Sequence, residues 1–397
     1  MAGIGRRTLV AGATAVAATG RANAESVTLP FANGERPLVA YPQKRALIRM
    51  TTRPPQLETP FPIFDEGLLT PNDAFFVRYH LADVPVDRLD PLTFRLIVKG
   101  KVARPQQFTL AALKGLGARD LVAVNQCSGN GRGFFEPRVP GGQAANGLMG
   151  NARWRGVPLK AVLDRAGVQP GAVEVRFDGM DGPVAPNTPD FAKSLKIDHA
   201  RDGEVLLAWG MNGADLPVLN GYPLRLVVPG YFGTYWVKHL NEITVIDDPL
   251  DNFWMTTAYR VPDNECQCTP PGEAPTKTRP IGRFAVRSFL TNLQDGGQVS
   301  AGQDTMLRGI AFDGGSGIAE VKVSTDGGAS WSGAQLGDDL GKYSFRPWQA
   351  VVRLSPGAHA VRVQATARSG ETQPMESRWN PSGYLRNVVE TINVRAV

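Results

Sequence analysis

The chain has 397 residues, 42% hydrophobic and 20% charged, with a formal charge of +6. That length holds two or three folded domains, and the composition excludes a mainly disordered chain. Three cysteines and four histidines exclude a disulfide-stapled scaffold and leave little room for a His-rich zinc or copper centre.

Residues 1–24 open on Arg6-Arg7-Thr8-Leu9, continue through small apolar residues and end on Ala22-Asn23-Ala24. The apolar run is too short to span a bilayer, and the small-x-small ending is an export-cleavage pattern. The paired arginines point to a twin-arginine signal, and so to a periplasmic protein exported already folded. The segment holds Arg6, Arg7 and Arg21 and no acid, so its removal leaves +3. With no basic stripe or recognition-helix pattern, nucleic acid is not an expected partner. No apolar run is long enough to predict a membrane span.

Residues 25–261 mix strands with short helices. Phe75-Phe76-Val77-Arg78-Tyr79-His80 sets Arg78 and His80 two apart, so an extended backbone turns both to one face. Leu121–Val124 reads as a buried strand. It runs into Cys127-Ser128-Gly129-Asn130-Gly131-Arg132-Gly133, where the glycines let the backbone approach a ligand closely. Arg132 favours the Cys127 thiolate, a nucleophile or a ligand for a soft metal. The same cysteine also reads as a small apolar residue in a core strand.

Val157–Gly167 has Pro158 in its first turn, apolar Leu159, Val162, Leu163 and Ala166, and Gly167 as terminator. This predicts a helix. Leu224–Val228 is a second buried strand. Arg225, and Lys238 in Trp236-Val237-Lys238-His239, add cations in apolar surroundings. Together with Arg78 they suit phosphate, sulfate or sulfite oxygens, although each alone also reads as a salt-bridge partner.

Residues 262–280 contain five prolines and predict an extended linker. Cys266 and Cys268 within it could form a local disulfide, pair between chains or stay free. No CxxCH haem motif exists. Residues 281–397 turn to short alternating strands. In His359–Arg368, Val361, Val363, Ala365 and Ala367 share one face, and Ser324–Gly328 reads as a hairpin turn. An all-β sandwich of immunoglobulin type is expected there. The whole is therefore α+β, a mixed α/β domain followed by a sandwich.

FFVRYH (75–80), the cysteine loop, GNARWRGVPL (150–159) and GYPLRLVVPG (221–230) together resemble the sulfite oxidase family of molybdenum enzymes. The resemblance runs through residues 25–261 and on into the sandwich. It looks closest to the bacterial periplasmic branch of sulfite dehydrogenases and sulfane dehydrogenase molybdenum subunits. It implies one molybdenum–molybdopterin per chain, with Cys127 as metal ligand and Arg78, Tyr259 and Arg132 as catalytic neighbours. Phe76, Val77, Tyr79, His80, Asp181, Asn220, Arg225, Trp236, Val237 and Lys238 match segments around the cofactor and its pocket. The implied reaction is sulfite oxidation in a homodimer. With no haem in the chain, a separate c-type cytochrome takes the electrons.

Three departures bear on the pocket. Ala144 stands where the family often carries tryptophan, Asn220 where vertebrate enzymes carry histidine, and Ser382 where they carry arginine. A less cationic and more open pocket is expected. A sulfane dehydrogenase subunit, acting on protein-bound sulfur beside a haem partner, is the alternative reading. A catalytically silent immunoglobulin-domain scaffold is the reading from another class.

Overall fold

The computed structural model describes residues 25–397, and the predicted export signal lies outside them. The described chain is mostly sheet with a few short helices. Among the described residues no helix is long and apolar enough to cross a membrane.

An antiparallel meander of five strands, Ser26–Thr28 to Val77–Arg78, comes first. Its last strand pairs Val77 with Leu57 and Arg78 with Gln56. Val77 and Tyr79 turn into a small apolar core with Leu47, Leu57 and Leu219. Phe76, Arg78 and His80 turn the opposite way, into a pocket. This is the period-two alternation of extended backbone, and it puts Arg78 and His80 on one face as predicted.

A second sheet is built on Arg119–Gln126, Met149–Pro158 and Leu206–Met211, with Arg225–Val227 paired to the last. The first two run in unbroken antiparallel register from Arg119 opposite Gly156 to Gln126 opposite Met149. Both predicted buried strands lie here. A third sheet pairs Leu240–Ile246 in parallel with Leu96–Gly100. Helix Leu159–Ala166 buries Leu159, Val162, Leu163 and Ala166 and stops at Gly167, whose φ of 73° only glycine adopts freely. Pro158 is its N-cap rather than a residue of its first turn. Each fully buried Leu or Val adds about 1.5–3 kcal/mol against exposure.

The C-terminal unit consists of two sheets, one containing Asp304–Phe312 and Arg346–Arg353, the other Ile318–Ser324 and Gly357–Ala367. Leu307 and Trp348 from the first share a core with Val321, Val361, Val363, Ala365 and Ala367 from the second. The predicted hairpin is present, Ile318–Ser324 pairing with Ser332–Gly333.

The connection differs from the expectation. Residues 262–280 are not an extended linker, because Arg260–Pro262 pairs with Thr278–Pro280 and returns the chain to its starting point. In a two-stranded ribbon a proline nitrogen, which carries no N–H to donate, can face away from its partner, so Pro262 and Pro280 are tolerated. Between them Cys266 and Cys268 form a disulfide, and the Thr269 N–H donates to the Trp379 carbonyl at 2.9 Å. The two units also share apolar core: Phe284, Phe312 and Tyr343 belong to the cluster containing Val124 and Trp154.

Candidate functional site

A pocket opens where the meander, the second sheet and the 231–259 region meet. Nine predicted residues line it: Phe76, Arg78, His80, Cys127, Asn220, Arg225, Trp236, Lys238 and Tyr259. Cys127 directly follows the strand Arg119–Gln126 and is the only free cysteine. Its N–H continues the ladder to the Leu148 carbonyl at 2.9 Å, and its carbonyl accepts from the Asn130 N–H at 3.1 Å.

Three side chains form a row across the pocket. Arg78 Nη2 donates to Tyr259 Oη at 3.2 Å, and Tyr259 Oη lies 2.5 Å from His80 Nε2. Burial, reinforced by the charges of Arg78, Lys238 and Lys193, holds His80 well below its ordinary pKa. The ring is therefore neutral, and its Nε2 accepts from the phenol. Burial pushes the Tyr259 phenol up, so it stays a donor. Phe191 stacks on His80 at 3.7 Å, and Tyr384 stacks on Tyr259 at 5.6 Å.

The cations are held by main chain and aromatic rings. Arg225 lies over Trp154 and Trp236 and donates to the Asn220 and Trp236 carbonyls at 2.9 and 3.3 Å. Burial lowers it to about 9, so it remains charged at neutral pH. Lys238 Nζ donates to the Arg78 carbonyl at 2.6 Å and sits over the Tyr79 ring. Asn220 Oδ1 accepts from Lys44 Nζ at 2.5 Å, while its Nδ2 donates to the Phe76 carbonyl at 3.0 Å. Asn220 thus fixes the segment that presents Phe76 and Arg78.

Five predicted residues stand behind this lining. Val77 and Val237 are core residues. Tyr79 points away because the alternation demands it, and its Oη lies 2.7 Å from His239 Nε2. Asp181 is buried; burial, with Arg225 adding, holds Lys238 well below its ordinary pKa, and the charge of Asp181 opposes this in part. Arg132 donates through Nε to the Ser382 carbonyl at 3.2 Å and lies over the Tyr384 ring at 5.0 Å. It therefore reaches the pocket only through the Tyr384–Tyr259 stack. Glycine clears its path: a Cβ on Gly141 would lie 2.7 Å from Arg132 Nη1.

Ala144, where a more open pocket was expected, is not among the lining residues. Ala144 is fully buried, its carbonyl accepting from the Gly133 N–H at 2.9 Å. Residues missed from the sequence include Asn125, Ser128, Gly233 and Thr234, which line the pocket. They flank Cys127 and Trp236, and their small polar side chains beside a glycine turn were the available signal. Gly233 is required there, since a Cβ would lie 2.4 Å from Asn125 Oδ1.

Asn125 Oδ1, Ser128 Oγ, Thr234 Oγ1 and Arg225 Nε are buried without a hydrogen-bond partner. All four residues line this pocket. Buried polar atoms need partners, so these four mark where a polar ligand supplies them. The lining contains Arg78, Arg225 and Lys238 and no carboxylate, so that ligand is anionic. One accessible thiol adds a site for a soft metal. A phosphate-bearing pterin with molybdenum fits this donor set.

The fold and site thus define an oxidoreductase of the molybdopterin-binding class. The oxidoreductase molybdopterin binding domain model matches residues 81–254, and the Mo-co oxidoreductase dimerisation domain model matches 278–396. Mouse (Mus musculus) mitochondrial sulfite oxidase is 31% identical over 397 residues, covering 95% of this chain and 71% of that protein. The Arabidopsis thaliana sulfite oxidase is 27% identical over 388 residues, covering 90% and 96%. Among solved structures, sulfane dehydrogenase SoxCD from Paracoccus pantotrophus superposes with a TM-score of 0.73 at 23% identity, covering 97% of this chain and 92% of that one. The chain belongs to the sulfite oxidase family of molybdenum oxidoreductases.

The His239 ring gives a pH prediction. Its Nδ1 lies 2.7 Å from the Tyr222 carbonyl and its Nε2 accepts from Tyr79. Burial, with Lys238 adding, lowers it to about 3. Below pH 6.5 the unfolded chain takes up this proton first, so stability is lost as pH falls. The loss is up to about 2 kcal/mol between pH 6.5 and 5. Unfolding midpoints at pH 7 and 5 check it: His239→Gln should show a smaller acid loss than wild type, and equal losses would refute the assignment.

Proposed function

We propose that this chain is a periplasmic sulfite dehydrogenase: sulfite and water yield sulfate, two protons and two electrons, and the electrons pass to a separate c-type cytochrome. When bound, the molybdenum cofactor supplies oxygen-atom and two-electron transfer. Cys127 holds the metal through its thiolate. Asn125, Ser128, Thr234, Arg225 and Lys238 hold the pterin and its phosphate.

Arg78 binds the sulfite oxygens and offsets the charge that builds as sulfate forms. Its Nη2 donor to Tyr259 keeps the guanidinium turned into the pocket. The neutral His80 ring orients the Tyr259 hydroxyl without adding a charge beside the anion. The observation that carries this reading is the Arg78–Tyr259–His80 row lining the same pocket as the only free thiol. The C-terminal unit is taken as an immunoglobulin-like dimerisation sandwich making a homodimer, and residues 1–24 as a twin-arginine address.

The test is to purify the exported protein, measure molybdenum per chain, and add sulfite with cytochrome c or ferricyanide. One molybdenum per chain and sulfite-dependent reduction are expected. Inertness toward free sulfite, with turnover of protein-bound sulfur beside a diheme partner, would favour the sulfane dehydrogenase reading. Absence of molybdenum would overturn both and favour a silent scaffold.

A further inference from the structure

Behind the cysteine loop lies a largely buried charged cluster that does not line the pocket. Arg287, on the first strand of the C-terminal unit, is 2% exposed. Its Nη1 donates to Gln126 Oε1 at 3.3 Å and its Nη2 to Asn146 Oδ1 at 3.0 Å. Its counter-charge, Glu390, stands 3.5 Å away and is shared with Arg386.

Gln126 is the residue before Cys127. Its Oε1 also accepts from Asn130 Nδ2 at 3.4 Å, and Asn130 Oδ1 accepts from the Leu148 N–H at 2.9 Å. The Leu148 carbonyl in turn accepts the Cys127 N–H. On the other side, the Gly131 N–H donates to the Ala145 carbonyl at 2.7 Å, next to Asn146. Gly131 has a φ of 86°, and a Cβ there would lie 3.2 Å from Asn146 Oδ1 and 3.5 Å from Arg287 Nη2. The loop bearing the thiol is therefore folded directly onto the arginine.

We propose that Arg287 is a positioning residue for Cys127: the second unit reaches into the first and fixes the thiol-bearing loop through Gln126 and Asn146. Burying a cation costs several kcal/mol unless it is well paired, and an apolar side chain would pack there without that cost. What the arginine adds is geometry, a planar fork that holds two acceptors on the two arms of the loop. The role rests on the reading of Cys127 as metal ligand, but its geometric content does not.

The test uses the full-length chain made in cells unable to synthesise molybdopterin. With Cys266 and Cys268 in a disulfide, Cys127 is the one thiol open to iodoacetamide. Outer residues that orient metal ligands typically matter by 10–100-fold. On that scale Arg287→Met should speed alkylation of Cys127 about tenfold, with Asn146→Ala shifting it the same way and Arg287→Lys, which keeps the charge but loses the fork, staying closer to Arg287→Met than to wild type. In cofactor-loaded protein, Arg287→Met should lower kcat about 10–100-fold with KM for sulfite within about twofold.

A folded Arg287→Met chain with wild-type alkylation overturns the proposal, as does a loss confined to KM. Should Arg287→Met not fold, the half-buried Asn146→Ala decides by the same criteria. If the chain proves to hold no molybdenum, the alkylation result still stands or falls alone.

Discussion

Cys127→Ser is expected to bring turnover to background while leaving the fold in place. The two contacts that build the loop at this position are main-chain ones, the Cys127 N–H to Leu148 and the Asn130 N–H to the Cys127 carbonyl. Serine keeps both and is close to cysteine in size at this partly buried position, so stability should change by less than about 1 kcal/mol. What serine lacks is a polarisable sulfur, which binds a soft metal as the thiolate. Activity assay and melting on the same preparation check the two halves separately. Wild-type turnover in the variant would remove Cys127 from the metal.

Arg78→Gln should cost about 2–4 kcal/mol of transition-state stabilisation, a drop of roughly 10²–10³ in kcat/KM. The loss should appear first as a higher KM for sulfite, with molybdenum content retained. Arg78 is held by its neighbours, donating to Tyr259 and to the Tyr79 carbonyl, while Lys238 donates to its own carbonyl. Glutamine keeps a donor but loses the charge and the reach. After burial, the Arg78 charge is the strongest influence opposing protonation of His80. Removing it should raise the His80 pKa and move the acid limb of the pH–rate profile upward. Unchanged steady-state kinetics would sink the assignment.

The parts of the site legible in the sequence are those fixed by local rules. Period-two alternation places Phe76, Arg78 and His80 together, and the same rule, applied to Val77 and Tyr79, would have removed them from the lining. The cysteine loop was legible because glycines cluster beside it. Lys44 was not, since its partner Asn220 lies 176 positions away and nothing near Lys44 marks it as buried. Tyr384 was hidden for the same reason, its stack on Tyr259 being a tertiary contact between units. The proline-rich segment misled because proline counts describe local stiffness and not whether the flanking strands pair with each other.

The Tyr259–Tyr384 stack also fixes a schedule. During synthesis Cys127 emerges about 250 residues before Tyr384, a delay of roughly 10–50 s at 5–20 residues per second. Until then the phenol that meets His80 has bare solvent on the face that Tyr384 covers, and Arg132 has no ring to lie against. The pocket is therefore finished by nearly the last part of the chain to be made. A ribosome-bound chain stalled before residue 382 holds Cys127 and Arg78 but not the wall that closes over them.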